Sequence, residues 1–195
     1  MLIIGDRSQN EDTPIPGIKR RELIKAGGVV LTAATLWFPG QAEAKRMMQG
    51  REITMRNAHT GQVFKGEYWH NGSYVPDAFS EIKQVMKDHR ANKTFPIDPR
   101  LMDILFVLQK RMDNTKPYDI FSGYRSHETN EKLRRMSFGV AKKSLHMLGQ
   151  AVDLRLPGSN LGKVRKQAIS LKAGGVGYYP ESHFLHVDTG RIRQW

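Results

Sequence analysis

Cysteine is absent from all 195 residues. That gap excludes a disulfide scaffold, a thiolate metal site and a cysteine nucleophile together. It leaves the compartment open, because a chain without thiols is at home in reducing and oxidising surroundings alike. Acidic residues are scarce beside basic ones, 19 Asp and Glu against 31 Lys and Arg, for a net charge of +12. Such a balance favours a polyanionic partner, either nucleic acid or a cell-wall polymer carrying carboxylates and phosphates. A recognisable nucleic-acid-binding motif is also missing, as are internal repeats and low-complexity linkers. Finally, there is little that resembles a membrane span. The apolar run Ala26–Phe38 has thirteen residues, two of them glycine, where a spanning helix needs roughly 20.

That short run has another reading. Lys19-Arg20-Arg21-Glu22-Leu23-Ile24-Lys25 precedes it, Pro39-Gly40 ends it, and Ala42-Glu43-Ala44 supplies a small-x-small cleavage pattern. A basic segment, an apolar segment and such a site form a secretory signal, and the paired arginines resemble the twin-arginine variety. Residues 1–44 are therefore expected to be a twin-arginine signal peptide, with a retained anchor as the alternative. Residues 45–195 are the expected working domain, in the periplasm or cell envelope. The leader holds five basic and five acidic residues, so the whole excess of +12 belongs to that domain.

The domain reads as α+β. Arg51–Asn57 alternates, with Ile53 and Met55 opposed to Thr54 and Arg56, and Val63–Trp69 follows a turn, which predicts an opening hairpin. Pro76-Asp77 starts a helix with Phe79, Ile82, Val85 and Met86 on one stripe. Asp98-Pro99 starts another, a capping residue before proline, with Leu101, Ile104, Leu105, Leu108 and Met112 at helical spacing. Tyr118–Ser122, Gln150–Leu156, Val176–Tyr179 and Phe184–Asp188 read as strands. Glu128–Met136 and Asn160–Ala173 read as helices, the second stopped by Gly174-Gly175. No long crossovers intervene, so the expectation is a small antiparallel sheet with helices packed on one face.

Three stretches carry chemistry. They are Ser122-Gly123-Tyr124-Arg125-Ser126, Ser144 to Asp153 and Phe184 to Asp188. In Gln150–Leu156, Val152, Leu154 and Leu156 point one way while Ala151, Asp153 and Arg155 point the other. In Phe184–Asp188, Leu185 and Val187 share the apolar face, and His186 and Asp188 share its reverse. A site built on the open face of the sheet would collect Asp153, His186 and Asp188, and His146 in the Ser144 to Asp153 stretch is a candidate third ligand. Two imidazoles and a carboxylate suit a hydrolytic zinc, which wants three such ligands and one position for water. From spacing alone, structural histidines remain the commoner explanation.

The pattern Ser-x-His-x-x-Gly-x-Ala-x-Asp, with the later His186-Val187-Asp188, resembles the zinc peptidases grouped with D-Ala-D-Ala carboxypeptidases, VanX-type dipeptidases and the Hedgehog signalling domain. Ala91-Asn92-Lys93, Ser122 to Ser126, Gly139 to Ser144, Ala173 to Pro180 and His186 to Gly190 are closer still to murein endopeptidases of that group. The resemblance implies that His146, Asp153 and His186 hold Zn2+. It further implies that the zinc site lies on the open face and that the substrate is the peptide stems of peptidoglycan. Relatives carry a glutamate three residues before the last histidine, where this chain has His183. The general base is then either Asp188 or His183, Asp188 being equally suited to orient His186. Arg125 is expected to bind the polarised carbonyl or a substrate carboxylate, the alternative being a surface arginine at a strand end. Ser144, Tyr178 and Tyr179 are further candidates for substrate contact, with core packing the competing role for at least one tyrosine.

The expected function is zinc-dependent endopeptidase cleavage of peptidoglycan cross-links by a monomer that binds no nucleic acid and keeps no membrane span once mature. A D-Ala carboxypeptidase and a non-catalytic, zinc-stabilised wall-binding module are the rivals.

Overall fold

The computed structural model describes residues 50–137 and 139–195. The expected leader lies outside the described residues. The strands are β1 (Gly50–Asn57), β2 (Val63–His70), β3 (Ser73–Tyr74), β4 (Tyr118–Ser122), β5 (Ala151–Arg155), β6 (Gly175–Tyr179), β7 (Phe184–Asp188) and β8 (Arg193–Gln194). The helices are α1 (Pro76–Val85), α2 (Pro99–Arg111), α3 (His127–Met136) and α4 (Leu161–Leu171), with a 3-10 turn at Leu145–Leu148.

The opening hairpin forms as its alternation predicts, with Ile53, Met55 and Phe64 buried. Asn57 closes its turn, since its Oδ1 accepts from the backbone amides of His59 and Thr60 at 2.9 and 3.0 Å. Each helix start has a local cause. Pro76 occupies the first turn of α1. Asp98 caps α2 by accepting from Arg100 N, Ser126 caps α3 from Thr129 N, and Asn160 caps α4 from Lys163 N.

The sheet is larger than expected and mixed. Its eight strands run in the order β3-β2-β1-β4-β5-β7-β6-β8. β1 pairs with β4, and β6 with β8, in parallel; the other neighbours are antiparallel. The expectation of a small antiparallel sheet fails for two reasons. The β1–β4 pairing joins Arg56 to the neighbourhood of Asp119, 63 residues away, and no local pattern reports such a neighbour. β8 is only two residues long, too short for any alternation.

Helices α1, α2 and α4 pack on the sheet, α1 against β1 and β2, α2 against β1 and α4, α4 against β6 and β7. Ile53, Met55, Ile120, Val152, Leu154, Leu185 and Val187 supply the sheet side of this core, all nearly inaccessible. α2 buries Met102 and Phe106 as well as the expected Leu101, Ile104, Leu105 and Leu108, because it is covered from two sides. Burying such side chains contributes about 1.5–3 kcal/mol each before the ordering entropy is subtracted. The Gly174-Gly175 pair does not end α4. The helix stops at Lys172, itself in the left-handed conformation at φ 51°. The glycines are needed for close approach instead: a Cβ on Gly175 would lie 2.5 Å from Asp188 Oδ2.

Candidate metal centre

Antiparallel pairing places Asp153 of β5 directly opposite His186 of β7. Val152, Leu154, Leu185 and Val187 point into the helix-covered core, so the alternating side chains Asp153, His186 and Asp188 emerge on the reverse face. Ser122 of β4 pairs with Asp153 from the other side. His146 comes from the 3-10 turn, which Gly149 terminates at φ 65°, a conformation that favours glycine. The segment after β4 holds that turn in place: Arg125 N donates to His146 O at 3.1 Å.

His146 Nε2, His186 Nδ1 and Asp153 Oδ1 meet at one point. The two nitrogens are 3.2 Å apart, and the carboxylate oxygen lies 3.3 Å from His146 and 2.9 Å from His186. Their far nitrogens fix the tautomers. His146 Nδ1 is 2.7 Å from the Gly123 carbonyl, which only accepts, so it carries the hydrogen. His186 Nε2 is 2.9 Å from Asp188 Oδ2 and donates to that carboxylate. Both rings therefore turn a lone pair toward the same carboxylate oxygen. Three acceptors in contact without a hydrogen between them form a cation site. Ligands about 2.0–2.2 Å from a tetrahedral ion would be about 3.3–3.5 Å apart, close to the separations here. His146, Asp153 and His186 are the group among the described residues whose ligand atoms converge in this way.

The electrostatics favour positive charge at this point, a proton and a cation competing for the same lone pairs. Burial alone would push the Asp153 carboxyl up, but the imidazoles of His146 and His186 outweigh it and hold it well below the usual carboxylate range. Burial would lower His186, yet its bonds to Asp153 and Asp188 raise it. Burial also pushes Asp188 up. Its bonds to His186, Arg193, Gly175 and Gly190 reverse that and hold it far below its ordinary value.

Asp188 is fully buried and fully engaged. Its Oδ1 accepts from the amides of Gly175 and Gly190 and from Arg193 Nη1, and its Oδ2 from Arg193 Nη2 at 2.7 Å and His186. His183 is exposed in the turn entering β7, in the left-handed region at φ 54°. Arg125 borders the centre. Its side chain is 12% exposed, with Nη2 3.5 Å from Asp153 Oδ2 and 3.3 Å from Ser122 Oγ, while its Nε is buried without a partner. Burial lowers its pKa and Asp153 opposes that shift. Ser144 sits at the start of the 3-10 turn and makes no capping bond with its hydroxyl. Tyr178 is not brought to the cluster. It pairs with Leu185, packs on the helix-covered core and lies under Arg165 of α4. Tyr179, one residue on, faces the other way and stacks on Phe184. Sequence reasoning missed the Gly123 carbonyl, Arg193 and Trp195, whose ring centroid is 5.3 Å from that of His186.

Residues 45–195 match the family model described as peptidoglycan L,D-endopeptidase MepK. The peptidoglycan L,D-endopeptidase MepK of Escherichia coli strain K12 is 45% identical over 176 residues, covering 90% of this chain and 96% of that protein. A Shigella flexneri protein of the same name matches to the same extent. The probable peptidoglycan L,D-endopeptidase MepK of Haemophilus influenzae is 37% identical over 178 residues, covering 90% of this chain and 95% of that one. With a family model spanning the whole region that holds the cluster, and relatives this similar over nine-tenths of its length, the chain belongs to the MepK family of M15 peptidases, a metallopeptidase family.

Proposed function

We propose that the chain is a zinc-dependent endopeptidase that hydrolyses peptide cross-links of bacterial peptidoglycan. The observation that carries this reading is the convergence of His146 Nε2, His186 Nδ1 and Asp153 Oδ1 with both imidazole hydrogens turned outward. Membership in the family and the names of the relatives supply the substrate class. Zinc fits this nitrogen and oxygen set, and three protein ligands leave a position for water or substrate. When bound there, zinc supplies Lewis acidity, lowering the pKa of water and polarising the scissile carbonyl.

The chain's own groups divide the remaining work. Asp188 holds the hydrogen of His186 Nε2 and so keeps the Nδ1 lone pair inward, an orienting role supported by its complete set of partners. Of the two residues weighed for the base, His183 is then the one whose side chain is exposed for proton transfer. Arg125 presents its guanidinium beside Asp153, where it can bind the oxygen that gains charge or a substrate carboxylate. Ser144 adds a hydroxyl at the entrance to the His146 turn.

Muropeptide dimers incubated with the purified protein, with and without chelator, and read by mass test the proposal. Conversion to monomers that stops on chelation supports it. Release of terminal alanine alone would favour the carboxypeptidase, and metal binding without turnover the wall-binding module. Action on peptidoglycan also places the protein in the periplasm or envelope. We assign residues 1–44 as the twin-arginine leader, so changing Arg20 and Arg21 to lysine should leave precursor inside the cell. Normal export of that form would refute the route.

A further inference from the structure

Trp195 is the least expected neighbour of the metal centre, and its position is tightly determined. Its backbone pairs with β6, Trp195 N donating to Val176 O at 3.2 Å and Tyr178 N to Trp195 O at 3.0 Å. The indole lies flat on Gly177, where a Cβ would come within 2.8 Å of Cε2 and Cζ2. Gly177 in turn is the cross-strand partner of His186. The indole Nε1–H donates to Tyr179 Oη at 2.9 Å, and the Arg193 guanidinium sits 5.0 Å from the ring centroid. Arg193 is the same side chain that grips Asp188. Beyond Tyr179 the apolar surface continues through Phe184, stacked at 4.6 Å, to Phe121 at 6.2 Å.

A tryptophan held by this many partners, yet 47% exposed, does not serve mainly to fill a core. An isolated exposed aromatic needs no explanation, but this one has its polar atom held by Tyr179 and its ring beside His186. We propose that Trp195 is a substrate-binding wall of the active site, against which packs the aliphatic side chain of the peptide residue flanking the scissile bond. This rests on the endopeptidase reading above. The occupant follows from distance. The ring is 5.3 Å from the ring of His186, a member of the cluster, so a group packed on it belongs to the part of the substrate near the bond being cut. Aliphatic groups suit an indole face, whereas Arg125 and the metal ligands serve the polar groups of the substrate.

The test compares wild type with Trp195→Ala, Trp195→Phe and Gly177→Ala on muropeptide dimers, reading kcat, KM and zinc per chain. Trp195→Ala should raise KM roughly tenfold with kcat nearly unchanged, the mark of a lost contact common to ground and transition states. Its zinc content should stay at the wild-type level. Trp195→Phe should recover most of the loss, and Gly177→Ala should raise KM in the same direction by lifting the ring off the strand. An unchanged KM in Trp195→Ala overturns the proposal, as does a fall in kcat alone. Loss of zinc overturns it too, since the ring would then be only a cover for His186. Absence of cleavage by the wild type would instead sink the endopeptidase reading itself.

Discussion

Two polar clusters on the same sheet are built on opposite rules. Near β2 and α2, Asp103 accepts from Arg51 Nη1 at 2.6 Å, Tyr68 Oη at 3.0 Å and Tyr74 Oη at 2.6 Å. Every bond there runs from a donor to an acceptor, and the cluster is complete in itself. Around β5 and β7, each histidine sends its hydrogen outward, to Gly123 or Asp188, and two lone pairs face one carboxylate oxygen. One arrangement clamps the fold, and the other is complete only with a cation. A polar cluster reads as structural or functional according to where its hydrogens point, more than by how buried or charged it is.

The most severe break should come from the ligands themselves. Replacing His146, Asp153 or His186 with alanine should abolish zinc binding and reduce turnover to that of chelated protein, as measured by metal analysis and muropeptide cleavage. Full metal occupancy in all three variants would refute the assignment. Next in size is Arg125→Ala, which should retain zinc and cost roughly 10²–10³ in kcat, the scale of one lost oxyanion donor. Asp188→Asn should be milder still. The change weakens the acceptor that fixes the His186 tautomer, so zinc affinity should fall roughly 10–100-fold and added zinc should restore much of the rate. Lost turnover at full zinc occupancy would make Asp188 the base instead of His183, and His183→Ala would then be nearly silent.

Much of this site was legible because strands write their faces into the sequence. The alternation of Val152 and Leu154 against Asp153, and of Leu185 and Val187 against His186, states which side chains share a surface. His146 was legible only through motif resemblance, since its position depends on a 3-10 turn and on the carbonyl of Gly123, 23 residues earlier. The same parity that found Asp153 disposes of Tyr178, which alternates onto the core while Tyr179 faces the centre. What local pattern did not contain is adjacency. Neither the parallel pairing of β1 with β4 nor the return of Arg193 and Trp195 along β6 has a periodic signature. Gly175 and Gly177 were the available signals, two positions without side chains because Asp188 and Trp195 occupy the space.

The structural cluster offers a smaller and different effect. Asp103→Ala leaves the buried Tyr68 hydroxyl and the half-buried Arg51 without their acceptor. The expected cost is about 1–3 kcal/mol of stability, read by denaturant unfolding. Zinc content and KM should not change. A change in either would mean that the two clusters are coupled and the contrast between them is wrong.

Asp88 gives the finest test, because it is a structural carboxylate that supports the functional segment. It is buried, and its Oδ2 accepts from Ser126 N at 2.9 Å while its Oδ1 accepts from the amides of Arg90 and Ala91. Ser126 directly follows Arg125, so Asp88 anchors the segment that positions the guanidinium. Burial would push Asp88 up, but the bonds from Thr129, Ser126 and Ala91 outweigh it and lower its pKa. A carboxyl lowered on folding stabilises the native state above its unfolded value, near 3.9, and loses that contribution as pH falls through the lower folded value. The wild type should therefore lose stability relative to Asp88→Asn as pH falls below about 5. At neutral pH the variant should be the less stable of the two. Parallel stability curves across that range would show that Asp88 titrates alike in both states, and that the anchor of the Arg125 segment lies elsewhere.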